Sequence, residues 1–353
     1  MSRLSTIFSV LAAATLVVVI SPAPAEAHPT PVPSWQDFST GSASSLRGLS
    51  AVSRRVAWAS GSEGEVLRTL DGGRTWSHVG PPGTAELQFR DIEAFDADHA
   101  VLMSIGDTTD AFRFYVTSDG GAHWTETFRN TEAAAFYDCM AFFDRRHGIA
   151  LSDPVDGKFR ILATSDGGRT WAVAPDTGMP AALAGEFAFA ASGTCLTVSG
   201  GEHAWFASGG GSAARVYRSN DRGRTWSVTD TPVPSGASAG IYSVAFRDPR
   251  HGIIVGGDYT TPDSAPDGAA VSRDGGRTWT VGRTVPGAYR SGVAWTNIAG
   301  VAIAVGPTGS DITYDGGQTW HGFDTGSLHG VDCTRDGACW ASGAAGRVTR
   351  LTL

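Results

Sequence analysis

Leu70-Asp71-Gly72-Gly73-Arg74-Thr75-Trp76 is the stretch from which the fold of this chain can be read. Asp-Gly-Gly is turn chemistry: glycine adopts positive φ freely, and an aspartate side chain bonds back to N–H groups of its own turn. Glu65-Val66-Leu67-Arg68-Thr69 alternates ahead of it, and Ser77-His78-Val79 follows the tryptophan. Period two on both sides of a tight turn predicts a β-hairpin. The pattern x-Asp-x-Gly-x-Thr-Trp recurs at Ser118–Trp124, Ser165–Trp171, Asn220–Trp226, Arg273–Trp279 and Tyr314–Trp320, with His123 in place of Thr in the second copy. Its aspartates, Asp71, Asp119, Asp166, Asp221, Asp274 and Asp315, are spaced by 48, 47, 55, 53 and 41 residues. Steps of that length mean one supersecondary unit used many times. Groups in a reacting site have different jobs, whereas these six are interchangeable, so each is expected to cap its own turn.

Every unit has room for four strands. Tyr137–Phe142 and His147–Leu151 supply an inner and a second strand before the third copy, and Ile241–Phe246 with His251–Val255 do the same before the fifth. After the sixth copy come Gly330–Cys333, Cys339–Ser342 and Arg347–Leu351, and the sequence stops where a seventh copy would begin. The missing outer strand is expected from the other end. Ser34-Trp35-Gln36-Asp37-Phe38-Ser39-Thr40-Gly41-Ser42 matches Thr319–Ser327 at Trp, Phe, Thr, Gly and Ser. The expected fold is therefore all-β: a seven-bladed β-propeller of four-stranded antiparallel blades, with the N-terminal strand closing the last blade. Such closure removes exposed sheet edges.

Residues 1–27 read as a signal peptide: Arg3, a largely apolar Ile7–Ile20 and a small-x-small site at Ala25-Glu26-Ala27. The apolar run is short for a membrane span, so residues 28–353 are expected to be a single secreted or extracytoplasmic domain, monomeric and without a membrane span after cleavage. The 46 glycines and 11 tryptophans suit many tight turns and packed sheets. Four cysteines in an exported chain suggest two disulfides. Cys333 and Cys339 flank a turn, and Cys139 and Cys195 fall at equivalent places on neighbouring inner strands, which permits both bridges without forcing either. A net charge of −8 argues against nucleic acid as partner. No metal and no cofactor are expected, since CxxC pairs, histidine metal spacings and nucleotide fingerprints are lacking.

The six copies resemble the Asp-box, or BNR, repeat of the β-propellers in sialidases, sortilin-type receptors, xyloglucan-cleaving hydrolases and photosystem II assembly-factor-like proteins. The resemblance spans residues 28–353 and implies boxes on the turn between the third and outermost strands, away from the ligand face. A leader, a single propeller and boxes in nearly every blade are similar to the exported photosystem II assembly-factor-like group. That implies a non-enzymatic binding or assembly role. The boxes and an arginine cluster also resemble sialidases, which implies a glycoside hydrolase or lyase as the alternative. Sialidases, however, have six blades and a Phe/Tyr-Arg-Ile-Pro motif that is missing here, and the xyloglucan-cleaving relatives set two propellers face to face.

Function on such scaffolds sits in loops and strand ends around the channel. The seven inner-strand starts line up as Arg47-Gly48, Arg90-Asp91, Tyr137-Asp138, Gly193-Thr194, Ile241-Tyr242, Arg290-Ser291 and Leu328-His329, and the rest of each strand reads as small or apolar. Arg47, Arg90 and Arg290 with Tyr137, Tyr242 and His329, and with Asp91 and Asp138 beside them, predict a polar cup at the channel mouth. Arginine binds carboxylates and phosphates in a planar, bidentate way, so the ligand expected is a protein or carbohydrate, anionic by preference. Acid-rich loops between second and third strands open on the same face. Asp153 and Asp258, at matching positions two blades apart, are the candidate acid and base should the protein cleave glycosides.

Overall fold

A computed structural model describes residues 32–353; the leader read at 1–27 lies outside the described residues. The chain forms seven four-stranded antiparallel sheets. Their inner strands are Leu46–Ala51, Gln88–Ala94, Tyr137–Phe142, Leu196–Ser199, Ala239–Phe246, Gly292–Trp295 and Gly330–Cys333, which number the blades 1 to 7. Each inner strand packs on the next, and the seventh packs on the first. The seventh sheet runs Gly330–Cys333, Cys339–Ser342, Val348–Thr352 and then Ser34–Phe38. Ser34 pairs with Thr352 and Phe38 with Val348, so the all-β, seven-bladed architecture and its N-terminal closing strand are as the repeats predict.

The Asp turns share one set of bonds. In the first, Gly72 and Gly73 take φ of 81° and 89°. The Thr75 amide and hydroxyl donate to Asp71 at 2.9 and 2.7 Å and hold its carboxyl at about 2. A hydroxyl two residues ahead completes the set: Thr69 Oγ1 donates to Asp71 at 3.0 Å and accepts the Gly73 amide at 2.9 Å. Thr117, Thr164, Ser219, Ser272 and Thr313 repeat that bond to the glycine amide. Thr313→Val keeps the shape but strands the buried Gly317 amide. It is expected to cost about 1–3 kcal/mol, read as a lower Tm in thermal melts.

Turn tryptophans fill the clefts between blades. Trp76 meets Trp340 edge-on at 6.0 Å, Trp124 meets Trp58 at 6.4 Å, and Trp171 meets Phe114 at 4.8 Å. Each of these pairs a turn with the blade before it.

The inner strands are stitched to one another by side chains. An inner strand has a sheet partner on one edge only, and N–H groups on the other still need acceptors. Asp332 accepts the Ala51 amide at 2.8 Å, Ser50 the Ala94 amide at 3.0 Å, Asp91 the Met140 amide at 2.7 Å and Ser243 the Val293 amide at 3.0 Å. Short polar residues on these strands are thus part of the ring. Disulfides add two ties: Cys333–Cys339 within blade 7, and Cys139–Cys195 between blades 3 and 4.

Candidate functional site

Four inner strands begin with a β-bulge. The register breaks between Leu46 and Gly48, Phe89 and Asp91, Tyr137 and Cys139, and Ile241 and Ser243. Arg47, Arg90, Asp138 and Tyr242 are therefore equivalent, and a bulge re-aims the residue it inserts. The sequence alignment is off by one in two blades. Tyr137 does not join the cup; it stands with Leu46, Phe89, Ile241 and Leu328, all at most 2% exposed. Its ring packs edge-on against Phe114 and Phe128, and burial pushes its hydroxyl up to about 12. Arg290 is the second correction. The Ser291 amide bonds Val305 as the His329 amide bonds Ser342, so Ser291 is the counterpart of His329. Arg290 turns inward, and its Nε donates to Asp311 at 2.6 Å in a buried ion pair. In a strand a one-residue slip moves a side chain to the opposite face, which accounts for both.

The mouth is not an open cup, because a strap of the chain's own residues, 187–193, lies across it. Its bonds and packing reach five of the six other blades, and it lies beside the remaining one. The Ala188 amide donates to Asp153 of blade 3 at 2.8 Å. Arg90 of blade 2 donates to the Ala190 carbonyl at 2.9 Å, and Arg47 of blade 1 to the Ala191 carbonyl at 3.2 Å. Phe189 stacks on Tyr242 of blade 5 with centroids 3.9 Å apart. Ser192 Oγ donates to the Ser291 carbonyl of blade 6 at 2.7 Å, and a Cβ placed on Gly330 of blade 7 would stand 3.7 Å from Ser192. A segment held by blades on opposite sides of the ring crosses the axis.

Both feet of the strap are fixed. Before it, the Glu186 carboxylate, 4% exposed, forms a buried ion pair with Arg215, whose Nε donates at 2.9 Å; the Leu183 amide and Ser208 hydroxyl also donate to it. After it comes Cys195, bridged to Cys139.

The strap divides the axis into two compartments of opposite character. On the mouth side lie Arg47, Arg90, Tyr289 and His329. Among the described residues no carboxylate lies within ion-pair distance of either guanidinium; their acceptors are neutral oxygens. Burial lowers both, and the neighbouring Arg47 helps bring Arg90 to about 10. Burial, then these two charges, holds His329 near 3, so it is a neutral imidazole, its Nε2 3.3 Å from the Ser45 hydroxyl. On the other side is a cavity of about 690 Å³ lined by Ser50, Asp91, Glu93, Gly193, Thr194 and Asp332. Burial pushes Asp91 up to about 8 and Asp332 to about 6, and raises Glu93 well above the carboxylate range. Asp91, expected in the cup at the mouth, thus lies in this well instead, because it follows the bulged Arg90 and faces the other way; with Glu93 and Asp332 it puts three carboxyls on inner strands expected to be small or apolar. Among the described residues no cluster of three or more His, Cys, Asp or Glu side chains has the arrangement of a metal site.

Asp153 and Asp258 have separate partners. Asp153 holds the strap, and burial raises it to about 7. Asp258 accepts the Thr260 amide and hydroxyl at 2.8 and 2.6 Å, bonds that keep it low. Asp138, 1% exposed, has no hydrogen-bond partner at either oxygen among the described residues; burial, then the Asp153 charge, raises it well above its ordinary value. Sequence reasoning missed the strap, Tyr289, Glu93 and Asp332. One signal was present for the strap: the 55-residue step from Asp166 to Asp221 is the longest of the five.

No protein-family model and no curated protein matches the chain. Solved structures do. YCF48 bound to D1 peptide superposes with a TM-score of 0.63 at 14% identity, over 90% of this chain and 95% of that one. YCF48 from Cyanidioschyzon merolae gives 0.62 at 16%, over 90% and 98%. The WD40 β-propeller domain of Doa1 gives 0.60 at 12%, over 90% and 97%. At these identities the similarity is one of fold.

Proposed function

We propose that this chain is an exported, monomeric, non-enzymatic propeller that binds a polypeptide over its channel mouth. The observation that carries this reading is the strap: Arg47 and Arg90, without a carboxylate partner among the described residues, already hold carbonyl oxygens of a polypeptide segment there. The likeness in fold to YCF48, one solved form of which is bound to D1 peptide, supports it. So do the six Asp turns, on which we assign the chain to the Asp-box propellers. Export is supported by the leader-like start and by two disulfides, which persist in oxidising compartments. Among the described residues no helix is long and apolar enough to cross a membrane.

Glycans are the weaker ligand class, and glycoside cleavage weaker still, because Asp153 and Asp258 are bonded to different segments. The test is a peptide array and a polysaccharide panel probed in parallel with the wild type and an Arg47→Ala/Arg90→Ala variant. Peptide capture that falls by roughly tenfold or more in the variant is expected, in line with loss of charge-assisted bonds. Released reducing ends from any polysaccharide would overturn the reading.

A further inference from the structure

The strap is itself a length of polypeptide seated in the mouth, and its seat is under-bonded on both sides. A guanidinium carries five N–H donors. Arg47 spends one of them on Ala191; Arg90 spends one on Ala190 and one on the Gln88 side chain. All three acceptors are neutral, and both guanidinia are largely buried, with the Arg47 charge close enough to act on Arg90. A carboxylate can accept two parallel N–H bonds from one guanidinium, and such charge-assisted bonds are roughly twice as strong as neutral ones. On the blade 3 side, the Ala188 amide donates to Asp153 while the neighbouring Asp138 has neither oxygen bonded among the described residues. Because the Glu186–Arg215 pair and the Cys139–Cys195 bridge pin the feet, only Ala188–Ser192 would have to lift.

We infer that the strap is an internal occupant that keeps the mouth closed, and that the mouth opens to a polypeptide bearing a carboxylate, which takes Arg47 and Arg90 from the Ala191 and Ala190 carbonyls. The place vacated by Phe189 against Tyr242 accepts an aromatic side chain two residues before the acid. The inference rests on the mouth being a polypeptide site and adds how that site is gated and what it selects.

The probe is the pentapeptide Phe-Ala-Phe-Ala-Ala, the strap's own residues 187–191, labelled at its N-terminus. Its free carboxyl terminus falls where the Ala191 carbonyl lies. Two further arms are the amidated peptide and an amidated peptide ending in Asp, which separate a terminal carboxylate from a side-chain one. These are titrated against the full wild-type chain, a loosened strap (Phe189→Ala/Ser192→Ala) and, in case that variant fails to fold, Ser192→Ala alone. Melts establish folding in each.

The loosened strap is expected to bind the free acid roughly tenfold tighter than the wild type does, to bind the plain amide correspondingly less well, and to lose the gain with Arg90→Ala. Equal affinity for wild type and loosened strap would overturn the gating role and leave the polypeptide reading intact. Equal affinity for acid and both amides would overturn the carboxylate preference. No binding in any arm, with Arg90-dependent capture still seen on the peptide array, would sink this inference alone; a blank array as well would sink the reading beneath it.

Discussion

Asp91→Asn is expected to stabilise the protein, and to do so more strongly the higher the pH. Asp91 is 5% exposed, and burial, with the Asp332 charge adding a smaller push, raises it from 3.8 to about 8. Between those values the folded form holds a proton that the unfolded chain has released, so stability falls as pH rises through that window. Asp153 at about 7 and Asp332 at about 6 act with the same sign. Asparagine still offers an oxygen to the Met140 amide but cannot ionise. At about 1.4 kcal/mol per pKa unit, and allowing for water in the channel, the gain is on the order of 3 kcal/mol near pH 8 and close to nothing near pH 4. Melts of both proteins across that range check it; a difference independent of pH would refute the account. The turn aspartates have the opposite sign. Held at about 2 in the case of Asp71 and Asp119, they contribute stability that is lost only as pH drops from about 4 through about 2. From these groups together, best stability is therefore expected at about pH 4, where the raised carboxyls are still protonated in the folded chain and the turn aspartates still ionised.

Removal of Ser34–Phe38 is expected to be the most damaging change. Trp35 packs at a tilt on Phe323 with centroids 5.7 Å apart and donates to Ser310 at 2.9 Å, both in blade 6. Phe38 packs on Trp340 of blade 7 at 5.6 Å and lies against Gly73 in the turn of blade 1. One strand thus ties three blades. Two half-buried aromatics and a five-residue ladder are worth on the order of 5 kcal/mol, much of the roughly 5–15 kcal/mol that holds a typical domain together. The truncated chain also exposes the edge of Val348–Thr352, a template for pairing with another molecule. Size-exclusion chromatography should show self-association, relieved by a synthetic peptide of residues 32–40. A truncated protein that stays monomeric with an unchanged melt would show that the ring does not need this strand.

The architecture was legible in the sequence because it is carried by local chemistry repeated six times. A turn such as Asp71–Trp76 needs its own residues and little else, and the Trp35 and Phe38 match to Trp320 and Phe323 reports a shared outer-strand environment. The mouth was harder to read for a definite reason. Bulges at Arg47, Arg90, Asp138 and Tyr242 shift the phase of four inner strands and leave others unshifted, and no local pattern marks which, so Tyr137 and Arg290 read as cup residues although Tyr137 packs among Phe114 and Phe128 and Arg290 pairs with Asp311. The strap escaped notice because Phe187–Gly193 holds its place through hydrogen bonds to four other blades and a stack on a fifth, mostly distant in sequence, whose proximity only the closed ring creates.

The pairing of Ser34 with Thr352 sets the two extremes of the described chain next to each other on one rim. A few linking residues there would make the polypeptide circular, and it could then be reopened at a tight turn elsewhere with every ladder preserved. Permuted genes starting in different blades would encode the same wheel. Which blade is shared between the ends is, on this view, a matter of where the ring is cut rather than of what keeps the molecule together.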